Sequence, residues 1–178
     1  VRLETERLIL APHRVADFDA LAAMWADPGV VDAIGLKPST RCESWMRLLR
    51  YGGLWPLLGF GYWAVRERAS GRFVGDVGFA DFHREVEPSI RGVPEAGWVL
   101  AAWAHGQGFG REAMMAALAW LDGQRQHSVC LVGPGHTRSL RLAAGLGYAI
   151  EETTRLNGEE TLLLSRTAIS ATKPGLPH

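Results

Sequence analysis

The spacing of hydrophobic positions changes repeatedly along the chain, and each change marks an element. Leu3, Leu8 and Leu10 alternate in part with Glu4, Glu6 and Arg7, which predicts a first strand over Leu3–Pro12. Phe18, Leu21, Ala22 and Trp25 then fall at i, i+3, i+4 and i+7, a helical face within Asp17–Ala26 that Pro28-Gly29 ends. Thr40 and Glu43 stand in capping-box register and open a second helix to about Arg50, with Trp45, Met46 and Leu49 inward. Tyr51–Gly61 reads as a connection rich in Gly, Trp and Leu. Strands follow at Tyr62–Arg66 and Phe73–Phe79 around a Ser70-Gly71 turn, then a polar loop, Asp81–Pro94, and a third core strand, Glu95–Ala101. A Gly-dense turn leads into a helix over Arg111–Asp122, whose apolar face is Phe109, Ala113, Ala117 and Trp120. Ser128–Val132 is a strand, and Thr137–Leu146 a helix closed by Gly147. Tyr148–Glu152 and Thr161–Ser165 form a final hairpin around Asn157-Gly158, the strongest turn signal in the chain. The order β-α-α-β-β-β-α-β-α-β-β predicts an α+β (mixed α/β) fold, a mixed sheet with helices on it rather than a doubly wound repeat. No repeat or linker divides it, so residues 1–167 are expected to form a single domain, with an aperiodic, flexible tail over 168–178.

Composition narrows the function classes. Lys+Arg and Asp+Glu are both 19, so the chain lacks the basic excess of a nucleic-acid binder. No run of about 18 apolar residues is present to span a bilayer, and the start lacks the apolar stretch of a signal peptide, so a cytoplasmic protein without membrane or nucleic-acid partners is expected. Cys42, on a helix face expected to be buried, and Cys130, in a strand, are too few for a disulfide framework and are expected to be inert core thiols. The six histidines show no metal-ligand spacing, so no metal is expected.

The informative segment is Trp98–Ala113, a strand that runs through Gly106-Gln107-Gly108-Phe109-Gly110 into a helix. Glycines let backbone approach a ligand, and a helix N-terminus adds partial positive charge, so together they suit a phosphate or pyrophosphate. The chain contains no Gly-Lys, which excludes a P-loop. Gly108, Gly110 and Ala113 formally meet the dinucleotide pattern, but no Asp or Glu lies between Gly123 and Ile150 to hold a ribose.

His105–Gly110 resembles the acetyl-CoA signature Q/R-x-x-G-x-G/A of the GNAT N-acetyltransferases, nearest to their RimJ/RimL-like branch. Leu3–Leu10, Phe73–Gly78, Glu95–Leu100, and Gly135–Leu142 followed by Gly147-Tyr148 resemble further segments of that branch, in order over about Leu3 to Arg166. The resemblance implies a central mixed, mostly antiparallel sheet of six to seven strands flanked by about four helices. It implies acetyl-CoA as cosubstrate and direct acetyl transfer to a primary amine, on a protein N-terminus or a small molecule. Many relatives dimerise, so a homodimer is compatible with it. Trp98, Val99 and Leu100 are implied to line the pantetheine, and His105, Gly106, Gln107, Gly108, Phe109, Gly110 and Arg111, with His136 and Ser139, to hold the rest of the cofactor.

His105 stands where the family usually has Gln or Arg, and His136 where it usually has Asn, which leaves the following helix a poorer cap unless Thr137 supplies it. Glu95 is the candidate base, with Asp76, Asp81 and His83 as rivals. The Tyr that many members use as acid is replaced by Ala143, and Ser139 becomes the candidate donor to the departing thiolate. Trp45, Trp55 and Trp63, with Tyr51, Phe60 and Tyr62, either fill core or border the acceptor cleft. The alternative to an enzyme is an acyl-CoA-binding protein with little or no catalysis.

Overall fold

The computed structural model describes residues 1–168. Apart from Ala168, the expected tail lies outside the described residues. One eight-stranded sheet organises the chain: β1 (Leu3–Glu4), β2 (Leu8–Pro12), β3 (Tyr62–Glu67), β4 (Phe73–Ala80), β5 (Glu95–Leu100), β6 (His127–Val132), β7 (Ala149–Leu156) and β8 (Glu159–Thr167), in the order β1-β2-β3-β4-β5-β6-β8-β7. All neighbours are antiparallel except β5 and β6. Five α-helices accompany it: α1 (Phe18–Ala26), α2 (Pro28–Val31), α3 (Arg41–Leu58), α4 (Phe109–Asp122) and α5 (Thr137–Gly145). The central strands are apolar on both faces because both are covered. Trp63 and Val65 pack with Phe109, Met114 and Leu121 of α4 on one face, and Tyr62 and Ala64 pack with Leu21, Leu48 and Leu54 of α1 and α3 on the other.

The locally encoded features are present. Thr40 and Glu43 form a reciprocal capping box, Gly147 has φ +90°, and Asn157-Gly158 turns with φ 52° and 84°. Several expectations need correction. The single first strand is two, because Thr5 N–H bonds to Leu8 O at 2.9 Å and folds β1 back on β2. The second helix does not stop near Arg50 but continues through Gly52, Gly53 and Pro56 to Leu58, ending at Gly59 with φ +76°. Glycine costs a helix about 1 kcal/mol and proline about 3. Here burial of Leu48, Tyr51 and Leu54, and the Trp55 indole donating to Tyr62 O at 3.0 Å, hold the extra turns. That longer face rotates the helix, so Met46 and Leu49 are exposed rather than inward.

Cys42 is also exposed, not buried as its helix pattern suggested, whereas Cys130 lies inside β6. Burial, and next the nearby Glu95 charge, push the Cys130 thiol up to about 12. It therefore stays protonated and unreactive at pH 8. A disulfide-exchange reagent is expected to titrate one thiol rapidly in the native protein and both after denaturation. Two rapid thiols in the native state would contradict the buried placement.

Candidate active site

The site begins where β5 and β6 part. They pair only at Glu95 and Val129, with Val129 N–H donating to Pro94 O at 3.0 Å. On its other edge β5 is fully paired with β4, from Glu95 opposite Ala80 to Leu100 opposite Gly75. The backbone of 96–100 is thus bound on one side and open on the other, an edge that an extended ligand can complete. Beyond it comes the glycine turn. Gly106 and Gly108 have φ +75° and +79°, a region other residues enter at a cost, and Gly108 is the N-cap of α4. The first N–H groups of α4 have no partner inside the helix and point toward the turn's mouth.

A cleft of about 430 Å³ follows this edge and the helix start, lined by Trp98, Val99, Leu100, Gly108, Gly110 and Arg111 among others. His105, Gly106, Phe109, His136 and Ser139 also line it. Gln107 does not: its side-chain amide turns back to donate to Trp103 O at 2.7 Å. His105 donates from Nε2 to Leu100 O at 2.9 Å, tying the turn to the end of β5. His136 caps α5 without a side-chain hydrogen bond, the poor cap expected, and Thr137 does not replace it. Its ring lies close against Gly133 and Gly35, where an added Cβ would come within 3.0 and 3.3 Å.

A second cleft, of about 850 Å³, adjoins the first along β5 and is lined also by Cys130, Leu131 and Val132 of β6. Glu95, Tyr51, Tyr62, Phe82 and Arg84 line it. Trp98, Val99, His136 and Ser139 line both clefts, so the two meet at the middle of β5. Glu95 is buried, and Arg84 Nε shares its proton between the two carboxylate oxygens at 3.0 and 2.8 Å. Burial opposes the Arg84 charge, but the bond to Glu95 outweighs it and holds the guanidinium above its ordinary value. The Tyr62 ring stacks on Tyr51 with centroids 4.5 Å apart, and its hydroxyl covers Gly97, where an added Cβ would stand 1.9 Å away. Burial raises both phenols well above their usual range, so they remain neutral hydrogen-bonding groups.

This open-edged strand, running into a glycine turn and helix, matches a known pattern at the level of the whole chain. Residues 7–149 fit the family model of the acetyltransferase (GNAT) domain. The chain belongs to the GNAT acetyltransferase family. A solved GNAT-family acetyltransferase from Bordetella pertussis is 34% identical and superposes with a TM-score of 0.83, over 94% of this chain and 99% of that one. The protein YkkB of Bacillus subtilis (strain 168) is 26% identical over 158 residues, 86% of this chain and 88% of its own. A ribosomal alpha-N-protein acetyltransferase, RimL, solved in complex with coenzyme A, shares the fold at 14% identity and a TM-score of 0.75, covering 94% of this chain and 98% of that one.

In this acetyltransferase the rival carboxylates are occupied elsewhere. Asp76 is sealed beneath the sheet, bonded to His13 Nε2 at 2.7 Å and the Trp25 indole at 3.0 Å. Asp81 accepts from the Gly92 and His83 N–H groups and shapes its own loop. His83 is exposed, and neither it nor Asp81 lines the second cleft. Of the aromatics, Tyr51 and Tyr62 reach the cleft, while Trp55 and Trp63 pack with Trp120, Phe60 lies in the core, and Trp45 rests on Phe18.

Sequence reasoning missed the brace behind the glycine turn. Glu112 of α4 accepts from Thr5 Oγ1, the Arg7 N–H and Arg7 Nε at 2.6–2.9 Å, and Arg7 also donates to Gln107 O at 3.0 Å. Burial alone would raise the Glu112 carboxyl, but these bonds prevail and hold it below its ordinary value. Arg84 was missed too. Neither pairing has a local signature, since their partners lie 105 and 11 residues apart. No described helix is long and apolar enough to cross a membrane.

Proposed function

We propose that this chain is an acetyl-CoA-dependent N-acetyltransferase of the RimJ/RimL-like kind that moves the acetyl group directly to a primary amine. The carrying observation is the junction of the two clefts at Trp98, Val99 and Ser139. One cleft ends at a glycine turn suited to pyrophosphate, and the other holds a buried carboxylate. Similarity to proteins of this family, including one solved with coenzyme A, supports the reading.

The free edge of Trp98–Leu100 would pair with the pantetheine amides as an added strand does. The start of α4, with Arg111 exposed in its first turn, would hold the pyrophosphate. Acetyl-CoA supplies an activated acyl thioester. The reaction forms an N–C bond, breaks the C–S bond and releases the CoA thiol. An amine with a Lys-like pKa of about 10.4 is less than about 0.1% neutral at pH 7, so a base is needed. Glu95 takes that proton, directly or through water, from the amine held in the second cleft. Ser139, at the junction, donates to the departing sulfur.

Calorimetric titration with acetyl-CoA, with NAD(P) in parallel, tests the reading. Binding on the order of micromolar for acetyl-CoA and none for NAD(P) is expected. No CoA binding would sink the assignment. Binding with no thiol release across a panel of amines would put the acyl-CoA-binding protein in its place.

A further inference from the structure

The second cleft carries more positive charge than the transfer itself uses. Arg47 and Arg50 of α3 line it, with Arg84. Arg84 is matched by Glu95, but Arg47 and Arg50 form no ion pair among the described residues. Arg47 lies over Trp25, its Cζ 3.7 Å from the ring centroid, and donates a single long bond to Ser39 Oγ at 3.3 Å. Arg50 lies over Phe82 at 4.9 Å. A guanidinium has five donors in a flat fork, so among the described residues most of the hydrogen-bonding capacity of both is unused. Burial draws the Arg47 guanidinium below its ordinary value, the opposite of Arg84, as expected for a half-buried cation without a full counter-charge.

These arginines and Glu95 belong to one wall. Arg47 and Tyr51 are a helical turn apart, Tyr51 stacks on Tyr62, and Tyr62 covers Gly97, two residues along β5 from Glu95. Phe82 continues the wall, 6.4 Å from Tyr62 and under both Arg50 and Arg84. The other charged or titratable groups on the cleft are His136, the Cys130 thiol and the exposed pair Glu159 and Glu160 at the start of β8.

We infer that the acceptor is a small amino carboxylate with an apolar or aromatic body, its carboxylate held by Arg47 and Arg50 and its amine presented to Glu95. This rests on the acetyltransferase reading and names the acceptor class for it. A carboxylate matches the guanidinium fork with two parallel bonds, and the tyrosine wall takes the body. The cleft of about 850 Å³ falls in the range that holds one small ligand, roughly 300–1,000 Å³.

The test is a thiol-release assay with L-phenylalanine, L-tryptophan and L-methionine, each beside its carboxamide and its decarboxylated amine, and with an acidic, C-terminally blocked tetrapeptide. The free carboxylates are expected to exceed their carboxamides by about 10-fold or more in kcat/KM, as a charge-assisted pair implies. In Arg47→Gln and in Arg50→Gln that preference should collapse by about 10-fold, through KM rather than kcat. Acetyl-CoA binding and Tm report whether each variant is folded, and Arg50, being exposed, serves if the Arg47 variant is not. The inference is overturned by equal use of carboxamides, by a preference that survives both substitutions, or by acetylation of the acidic peptide alone. Acetyl-CoA binding with no acetylation of any free carboxylate also overturns it. Absence of acetyl-CoA binding would instead remove the acetyltransferase reading, and this inference with it.

Discussion

Replacing Glu95 by Gln is expected to lower kcat for amine acetylation by ~10²–10³-fold while acetyl-CoA affinity is retained, because the substitution removes the proposed base without touching the cleft proposed to hold the cofactor. Glu95 is absent from the cleft that carries the glycine turn and present in the one that adjoins it. Gln keeps the shape and one oxygen for Arg84 but loses the proton-accepting charge. It also leaves Arg84 less compensated, and removing one member of such a part-buried pair costs on the order of 1–3 kcal/mol. Some loss of Tm is therefore expected beside the loss of turnover. The two effects separate cleanly: a lower Tm with unchanged kcat at saturating amine would make Glu95 a structural anchor for the Arg84 loop and would end its assignment as the base.

Gly110→Asp is expected to weaken acetyl-CoA binding by about 100-fold or more, roughly 2.7 kcal/mol, with little change in Tm. The logic turns on opposite signs. Gly110 is the second residue of α4, where an acidic side chain favours the helix by interacting with its positive N-terminus. Its backbone is not in the left-handed region, and an added Cβ would meet Leu142 and Leu100 at 3.4 and 3.5 Å, near ordinary contact. Folding therefore has little reason to suffer. The same carboxylate occupies the N–H groups and the field that would otherwise hold a pyrophosphate. Calorimetric titration with acetyl-CoA beside a thermal melt reads both quantities. Unchanged affinity in a folded variant would mean that the start of α4 does not hold phosphate.

Much of the frame was legible because its signals act over a few residues. The Thr40 capping box, the left-handed glycines before α4 and the Asn157-Gly158 turn are set by local sterics and by hydrogen bonds between near neighbours. The strand–turn–helix around Gly106–Gly110 could be placed for the same reason. Where reading by pattern failed, long-range packing had outweighed local preference. α3 runs through Gly52, Gly53 and Pro56 because Tyr51 and Leu54 are buried against the sheet, and its inward face turned away from Met46 and Leu49 for that reason.

By itself, then, the sequence determined the kinds and order of the elements, the glycine turn and Glu95 at the head of β5. Only the tertiary structure decided that β5 and β6 touch at Glu95 and then part, that Arg84 grips Glu95 from across a loop, and that Asp76 is sealed away with His13 and Trp25. It also decided that Arg47 and Arg50 face the same cleft as Glu95. Caps and turns are written in neighbouring residues, whereas a cleft is the gap left when distant segments choose their partners, and its charges meet only after that choice is made.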